Sequence, residues 1–453
     1  MLKNYIYIFL AALLVRLINL LIIDNPVSHA LMEDALIYWE GAQSWKESGY
    51  FSRNINGIFI PETERVPAYF ILLLFLRDFF NDGLVAILFC QAVIDSLTCV
   101  IIYKLGSMIN IQTAKFSALF SIFSFNMILH SSFILTETLF LFFMCCLLLF
   151  AADLITKFTW KSVIGLGIFC GLAIMTRSLV FLIPISITIL GPITTYIQSK
   201  NWIRGFKAGL VVLVISGVIT SPILYRNWTN YNTLHLTSQN GVFFLDWGIG
   251  IIKSLETGKP FSEIGKELNK SVEKEIKKTY AETDLLNPFE LSEIRLNIAN
   301  NKFSELSTYS ILHGFIYGAT NNLLSPTIAI DPRVRSLNTS SFYNTHGHTI
   351  IEKVMNFVSN NNNWYLVFLT IGFITSILFA FLQALGFILI FRSNQLLGIL
   401  IIFYIMYFLI ICGPVGSPKY RIPIEPALII LQSYAGAWMY IRQKKLKKNH
   451  FLK

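Results

Sequence analysis

The chain has 453 residues, of which 54% are hydrophobic and only 14% are charged. This composition excludes an ordinary soluble domain and indicates a membrane protein. The formal net charge of +10 is typical of basic cytoplasmic loops in such a protein, so nucleic-acid binding is disfavoured. The six cysteines lie in apolar runs without metal-ligand spacing, and we interpret them as small hydrophobic residues.

The apolar segments predict an all-α integral membrane protein, a polytopic helical bundle of about ten transmembrane helices. The first segment contains Lys3 and Arg16 and precedes a small-x-small sequence at 28–30. Its apolar run is too long for a signal peptide, so we expect an uncleaved span. The segment 67–80 is too short to span and predicts an interfacial or re-entrant helix. The expected spans are 5–23, 84–105, 115–130, 138–153, 162–176, 179–197, 208–224, 364–391, 396–412 and 424–441.

Basic residues concentrate in every second connection between the expected spans. By the positive-inside rule that side is cytoplasmic, and an even number of spans places both termini there. We expect a catalytic transmembrane module at 1–224 that includes a first outer loop at 24–66. An extracytoplasmic loop region with short helices follows at 225–363, and C-terminal spans with a basic cytoplasmic tail follow at 364–453. The basic residues are Lys104, Lys115, Lys157, Lys161, Arg392, those of segment 198–207 and those of the tail.

Within the large outer segment, one stretch has the pattern of a charged helix with an apolar stripe. In the sequence SEIGKELNKSVEKEIKKTY, Ile264, Leu268, Val272 and Ile276 follow one another at intervals of four residues. Residues at this spacing share one face of an α-helix. We therefore predict a helix that packs on the outer rim of the membrane domain.

Several conspicuous charged residues lie at the outer ends of the expected spans. Arginine binds phosphate through a planar fork of donors, and a nearby carboxylate can take a proton from a hydroxyl nucleophile. The arrangement therefore indicates a site that handles an anion beside the lipid. The alternative is a set of ordinary snorkelling side chains at helix ends. The residues are Glu33, Asp34, Glu137, Arg177, Arg226, Lys419 and Arg421.

Short motifs around these charges occur in the order found in a known class of enzymes. They resemble the membrane glycosyltransferases of the GT-C class, specifically glycosyltransferase family 39, which includes dolichyl-phosphate-mannose protein mannosyltransferases and lipid A aminoarabinose transferases. The chain departs from the family at Ala35, where many members have Glu, and at Ile223, where Trp is usual. The matching residues are Asp34, Tyr38, Ala42 and Gly49 after the first span, Arg65, Pro67 and Tyr69 in ERVPAYF, Thr136 and Glu137 in LTETLF, Pro222, Arg226 and Asn227 in SPILYRNW, the turn LTSQNGVFFLDWG, and Lys419, Tyr420 and Arg421 in KYRIP.

The resemblance implies an inverting transfer of a hexosyl or pentosyl group from a polyprenyl-phosphate donor to an acceptor hydroxyl on the extracytoplasmic face. Asp34 would be the general base, with Tyr38 on the same helical face. Glu33 would be a supporting acid at the start of the helix. The residues expected to bind the donor or its lipid phosphate are Arg65, Tyr69, Glu137, Arg177, Arg226, Asn227, Lys419, Tyr420 and Arg421, with Arg177, Arg226 and Arg421 as the phosphate clamp.

The sequence leaves several alternatives open. A polytopic transporter or flippase and an O-antigen polymerase or ligase of the cell envelope are the competing functions, although transporters place ionisable residues near the membrane midplane. The acceptor is a glycan, a lipid or a protein, and membrane lipids surround the chain. Metal dependence varies within the GT-C class, so a divalent metal stays open, with His346 and His348 as weak ligand candidates. We expect the protein in the bacterial inner membrane, with its active site facing outward.

Overall fold

The fold is a bundle of α-helices with one short β-hairpin, seen in a computed structural model that describes residues 2–279, 286–337, 342–347 and 349–450. Long apolar helices form the bundle, and shorter helices cover one of its ends. The all-α, polytopic membrane architecture expected from the sequence is therefore confirmed.

The N-terminal region contributes one long helix and the first loop with its hairpin. The two strands pair antiparallel, with Ile55 opposite Ile58. The turn between them is Asn56-Gly57, and both residues have positive φ, at 52° and 87°. This is the backbone that a tight two-residue hairpin requires, and it explains Asn-Gly at this place. The elements are α1 (Leu2–Leu21), α2 (Pro26–Ala30), α3 (Asp34–Ser48), β1 (Ser52–Ile55), β2 (Ile58–Pro61) and α4 (Ala68–Phe79).

The central region is a series of closely packed apolar helices. Helix α9 crosses α11 closely, because a Cβ atom at Gly167 or Gly171 would lie within 3 Å of Ile215 or Ile219. The helices are α5 (Leu84–Ile109), α6 (Ile111–Ile122), α7 (Phe125–His130), α8 (Glu137–Thr156), α9 (Trp160–Ile174), α10 (Ile183–Ser199) and α11 (Trp202–Tyr231), with a 3₁₀ turn at Ser178–Val180.

The outer segment begins with a π-helix, Val242–Ile249, and continues as short helices. The apolar stripe predicted for this segment is confirmed, since Ile264, Leu268 and Val272 are buried against Leu245 and Ile249 of the π-helix. The helices are α12 (Gly250–Thr257), α13 (Phe261–Thr279), α14 (Pro288–Ser304), α15 (Thr308–Leu324), α16 (Pro332–Arg335) and α17 (Ile350–Ser359), with 3₁₀ turns at Thr327–Ile330 and Phe342–Asn344.

The C-terminal helices pack back onto the N-terminal half of the chain. They are α18 (Asn363–Ser393), α19 (Gln395–Cys412), α20 (Pro418–Arg421) and α21 (Glu425–His450), with a 3₁₀ turn at Ile422–Ile424. Helix α21 contacts α18 on one side and α5 and α6 on the other. Residues from both ends of the chain therefore meet in one bundle.

The number of crossings differs from the sequence expectation. Among the described residues, seven helices are long and apolar enough to cross a membrane. The expected span 115–130 divides into α6 and α7, and the expected span 162–176 is the 15-residue helix α9. Residues 425–441 of the last expected span lie in α21, which contains the polar residues Gln432 and Ser433. The qualifying helices are Leu2–Leu21, Leu84–Ile109, Glu137–Thr156, Ser178–Ser199, Trp202–Tyr231, Asn363–Ser393 and Gln395–Cys412.

The tight connections between consecutive helices each carry a polar residue that starts the second helix. The side chains of Asn110, Thr159, Asn201 and Asn394 each accept a hydrogen bond from a backbone N–H three residues further on. Such N-caps satisfy amide groups that a helix start leaves unpaired. The basic residues counted in the sequence lie beside these four turns, so the turns mark the end of the bundle expected to be cytoplasmic.

A buried ion pair explains the charge inside the first span. The Nε atom of Arg16 donates to Asp95 of α5 at 2.7 Å, and both side chains are at most 1% exposed. The remaining guanidinium donors reach the backbone carbonyls of Ile122 and Ser121, where α6 ends. A charge in a membrane segment is costly unless it is paired in this way. Arg16 therefore joins α1, α5 and α6.

We expect replacement of either Arg16 or Asp95 alone to destabilise the protein more than replacement of both together. Either Arg16→Met or Asp95→Leu leaves one buried charge unpaired, which typically costs about 3–5 kcal/mol. The double variant removes both charges and should regain much of the lost stability. Thermal unfolding of the three purified variants in detergent measures this, and additive losses in the double variant would contradict it.

Candidate active site

A polar cavity of about 270 Å³ lies at the end of the bundle opposite the basic turns. It is bounded by the starts or ends of several helices, so residues far apart in sequence converge there. Residues from the first loop and from the helix ends form one part of the wall, and the outer segment forms the other. The lining residues discussed below are Asp34, Tyr38, Glu64, Arg65, Thr136, Arg177, Lys419, Tyr420, Thr237, Gln239, Phe243 and Trp247.

Five charged side chains form an alternating chain along this wall. Arg65 lies 3.7 Å from Asp34, and the Nζ atom of Lys419 donates to the other oxygen of Asp34 at 2.8 Å. The same ammonium lies 3.8 Å from Glu137, which accepts a hydrogen bond from Arg177 at 2.7 Å. Three cations thus share two carboxylates, and a group of this composition attracts an anion.

The two carboxylates differ in their access to the cavity. The side chain of Glu137 is fully buried, whereas that of Asp34 is 45% exposed. Glu137 also accepts from the hydroxyl of Thr136 at 3.3 Å. Glu137 therefore contacts Arg177 and Lys419 from the buried side. Asp34 is the carboxylate that a bound molecule can reach.

The charged neighbours control the protonation of the exposed acid. Partial burial raises the pKa of Asp34, but the ammonium of Lys419 and then the guanidinium of Arg65 outweigh it, so the pKa lies below its usual value. Burial lowers the pKa of Lys419, but Glu137 and Asp34 raise it above its usual value. Asp34 is thus a carboxylate and Lys419 an ammonium.

The adjacent acid, Glu33, points elsewhere. Its φ is 50°, in the left-handed region that non-glycine residues seldom adopt, and α3 begins at the next residue. Its carboxylate is 69% exposed and pairs with Arg335 at 2.9 Å. The structure therefore brings Asp34, but not Glu33, into the cavity.

Two of the predicted phosphate ligands lie outside the cavity. Arg226 donates through Nε and Nη2 to the side-chain oxygen of its neighbour Asn227, and its guanidinium lies over the ring of Phe51. Asn227 in turn donates to the backbone carbonyl of His235 at 2.7 Å. This pair fixes the end of α11, and the structure does not place it in the phosphate clamp expected from the sequence.

Arg421 and Tyr69 are also engaged elsewhere. Arg421 donates to the hydroxyl of Thr327 and pairs with Glu425, and it also reaches backbone carbonyls at the end of α15. Tyr69 is fully buried and donates to Gln91 at 2.7 Å. Of the three arginines expected to form the clamp, only Arg177 lines the cavity.

The other part of the wall comes from residues that the sequence did not single out. Phe243 and Trp247 of the π-helix line the cavity, together with Gln239 just before it. Gln239 donates to Glu64, which also pairs with Arg53. The sequence motif LTSQNGVFFLDWG contains both rings, four residues apart. This spacing is the feature of the sequence that could have indicated that the two rings share one face of a helix.

A second, larger cavity of about 530 Å³ opens near the basic turns. Among the described residues that line it, such as Leu154, Ile187 and Val212, none is charged. It therefore lacks an acid, a base or an anion ligand, and the smaller polar cavity is the candidate active site.

A metal site is not apparent in the part of the chain that the structure describes. There, no group of three His, Cys, Asp or Glu side chains is close enough to hold an ion. His348 lies outside the described residues. In the cavity, the ammonium of Lys419 occupies the position between Asp34 and Glu137 where a bridging cation would sit.

The centre of the chain is similar to one protein family. Residues 65–226 match the family model described as dolichyl-phosphate-mannose-protein mannosyltransferase. This segment includes Arg65 and Arg177 of the cavity and the buried Glu137 that pairs with Arg177, while Asp34 and Lys419 lie outside it. No curated protein sequence matches the chain.

Solved structures extend the likeness to the whole fold. The archaeal oligosaccharyltransferase AglB from Archaeoglobus fulgidus, in complex with an inhibitory peptide and a dolichol-phosphate, matches with a TM-score of 0.50 at 12% identity. The match covers 99% of this chain and 52% of that one, so this chain spans about half the length of AglB. Two structures of ArnT from Cupriavidus metallidurans also match, each at 14% identity and over 96% of this chain. The apo structure has a TM-score of 0.41 with 77% of ArnT covered, and the structure bound to undecaprenyl phosphate has a TM-score of 0.42 with 78% covered.

The family match lies in the segment that carries Arg65 and Arg177 of the cavity, and the match to AglB covers nearly the whole chain. Together they confirm the resemblance found in the sequence: this chain resembles the membrane glycosyltransferases of the GT-C class, in the family 39 group.

Proposed function

We propose that the protein transfers a sugar from a polyprenyl-phosphate donor to an acceptor hydroxyl on the extracytoplasmic face, with inversion at the anomeric carbon. The observation that carries the proposal is the exposed carboxylate of Asp34 in one cavity with Arg65, Arg177 and Lys419. The matched family is described by a dolichyl-phosphate-mannose donor, and the AglB structure contains a dolichol-phosphate. Both are consistent with a lipid-linked phosphate in this cavity.

The reaction is a single displacement at the anomeric carbon. The acceptor oxygen forms a bond to that carbon while the bond to the phosphate oxygen breaks, and the lipid phosphate leaves with the electron pair. Asp34 takes the proton of the attacking hydroxyl, which keeps the nucleophile neutral at the start and avoids a charged product. Arg177 and Lys419 stabilise the charge that develops on the departing phosphate. Attack from the face opposite the phosphate inverts the configuration.

Donor binding itself would strengthen the base. Lys419 and Arg65 both contact Asp34 and hold its pKa down. A bound phosphate competes for the same cations, because an ion pair to either carboxylate or phosphate uses the same donors. As the cations turn to the phosphate, Asp34 loses its compensating charge and becomes a better proton acceptor. The base is therefore activated only when a donor is present.

The transporter alternative lacks a comparable observation. The intramembrane pair Arg16–Asp95 is hydrogen-bonded to α5 and α6 and is buried in the bundle. A transport site usually places such ionisable groups at a cavity near the midplane. The charged cavity lies instead at the ends of the helices, opposite the basic turns.

The outward orientation can be tested with single cysteines. Residues at positions 55 and 270 lie at the end of the bundle that bears the polar cavity, and position 202 lies beside a basic turn. We expect Ile55→Cys and Lys270→Cys to react with an impermeant thiol reagent in intact cells, and Trp202→Cys to react only after the cells are opened. The reverse pattern would place the cavity on the cytoplasmic side.

Asp34→Asn tests the base. The change is nearly isosteric but removes the proton acceptor, so we expect turnover to fall by about 10²–10⁴-fold while donor binding is retained. Glu33→Gln is the matched control, since Glu33 pairs with Arg335 outside the cavity. The assay measures sugar release from radiolabelled undecaprenyl-phosphate sugars at equal protein levels. A severe defect in Glu33→Gln with near-normal Asp34→Asn would reverse the assignment.

Arg177→Lys tests the phosphate contact. Lysine keeps the charge but lacks the planar fork that can bind two phosphate oxygens. It also cannot reproduce the hydrogen bond of Arg177 to Glu137, so turnover should fall markedly. Arg226→Lys alters an arginine outside the cavity and should keep near-normal turnover in protein that accumulates equally. Equal activity of the two variants in the same transfer assay would exclude Arg177 from the phosphate site.

Lys419→Met should move the pH dependence. Asp34 must be a carboxylate to accept a proton, so kcat/KM falls as pH drops through its pKa. The titratable groups that face Asp34 are Lys419, Arg65, Glu137 and Tyr420. Burial and Glu137 raise the pKa of Asp34, and without the Lys419 ammonium only Arg65 opposes them. The pKa should therefore rise, and the acid limb of kcat/KM should shift to higher pH. A uniform loss of activity without such a shift would show that Lys419 does not control the protonation of Asp34. The control is Lys46→Met, which removes the lysine of an exposed ion pair with Asp78.

A further inference from the structure

The π-helix presents two different faces. Leu245 and Ile249 are buried in the apolar cluster of the outer segment, while Phe243 and Trp247 line the polar cavity. The helix is attached to α14 by the ion pair between Asp246 and Arg295, at 2.5 Å. π-helical turns are uncommon and frequently occur at functional sites. Its geometry here holds two aromatic rings, four residues apart, at the cavity.

The indole of Trp247 is fixed in place. It stacks on the ring of Phe261, with centroids 5.0 Å apart and an interplanar angle of 24°. The residue is nevertheless 42% exposed, and it borders the cavity. A rigid aromatic surface with one covered face loses little entropy when a ligand packs against it.

The cavity therefore has two walls of different chemistry. The charged wall carries Arg65, Asp34, Lys419 and Arg177, and the aromatic wall carries Phe243 and Trp247. A glycosyl phosphate has the same two parts, an anionic phosphate and a sugar ring with a face of C–H groups. The face of an aromatic ring carries partial negative charge and attracts such C–H groups.

We propose that Trp247 and Phe243 form a subsite for the C–H face of the donor's sugar ring, with the phosphate held on the charged wall. The proposal rests on the proposed function and adds to it a recognition element for the sugar. The outer segment then selects the sugar, and the transmembrane helices supply the base and the cations.

The test compares binding of lipid-linked sugars with binding of the lipid phosphate alone. Full-length protein in nanodiscs is titrated with undecaprenyl phosphate and with its mannose, glucose and N-acetylglucosamine derivatives. We expect Trp247→Leu to weaken binding of at least one sugar derivative by roughly threefold to tenfold, while undecaprenyl phosphate binds as before. Trp247→Phe should keep most of the affinity, and Trp364→Leu, at an exposed tryptophan on α18, is the control.

The outcomes separate this inference from the proposed function. Equal weakening for the sugar derivatives and undecaprenyl phosphate, or unchanged binding in Trp247→Leu, would overturn the aromatic subsite and leave the transfer reaction standing. Failure of the unaltered protein to bind undecaprenyl phosphate or any of the derivatives would overturn both.

Helix α17 has one apolar face that is exposed. One face of this helix carries Ile351, Val354, Met355 and Val358, and these side chains are 44–73% exposed. The opposite face is anchored, because Phe357 packs against the rings of Phe342 and Tyr365 and Lys353 lies over the ring of Phe342. A row of exposed apolar residues at this spacing is typical of a helix that lies in the interface of a bilayer.

The position of α17 identifies the lipid as its partner. Helix α17 ends at Ser359 and the membrane-spanning helix α18 begins at Asn363, so the two ends lie within about 15 Å. Trp364, at the start of α18, is exposed, as tryptophans of the membrane–water interface usually are. We infer that α17 inserts its apolar face between the lipid headgroups and acyl chains beside α18.

Site-specific labels can locate this face. A fluorophore on Ile351→Cys or Met355→Cys in phosphatidylethanolamine–phosphatidylglycerol nanodiscs should be quenched by nitroxide-bearing lipids and protected from aqueous iodide. The same label on Lys270→Cys, on the exposed side of α13, should show the opposite behaviour. Iodide quenching at 351 and 355 equal to that at 270 would overturn the inference. Protection from both quenchers would show a protein partner on this face and would overturn it as well.

Discussion

The position of Lys419 determines how the candidate site is assembled. Its ammonium lies between Asp34 and Glu137, and it comes from α20, 385 residues after Asp34 in the chain. Both carboxylates need a cation because they are partly or fully removed from water. The site is therefore complete only when the C-terminal helices have packed against the N-terminal module. This requirement joins the fold of the bundle to the chemistry of the cavity.

The sequence predicts those features that depend on composition and local spacing. Apolar segment length identifies most crossings, and the interval of four residues identifies the buried stripe of α13. The convergence of Asp34, Glu137, Arg177 and Lys419 follows from topology alone, because each lies at the same end of a span and the ends of neighbouring helices meet. Where a segment is short or contains a break, as at α6 and α7, hydropathy cannot distinguish one crossing from two packed helices.

Side-chain direction is the part that the sequence does not contain. Arg226 and Arg421 occur at the same boundary as Arg177, yet they satisfy carbonyl and carboxylate groups of their own surroundings. Glu33 and Asp34 are neighbours, yet Glu33 pairs with Arg335 and Asp34 pairs with Lys419. The partner of Arg16 is Asp95, which lies 79 residues away within another apolar helix. The contacts of Arg16 with Asp95, of Arg421 with Thr327 and of Glu33 with Arg335 depend on tertiary packing, which local pattern does not determine.

The walls of the cavity also differ in how tightly they are built into the fold. The charged wall belongs to helix ends that close the membrane bundle, and Glu137 and Arg177 are mostly buried there, so changes at these positions disturb packing as well as charge. The aromatic wall belongs to a π-helix whose apolar face packs within the outer segment. Substitution at Phe243 or Trp247 alters the cavity without leaving a charge unpaired, which is the costly event in the charged wall. Under the proposed function, selection for a different sugar can therefore act on the outer segment while Asp34 and the cations stay in place.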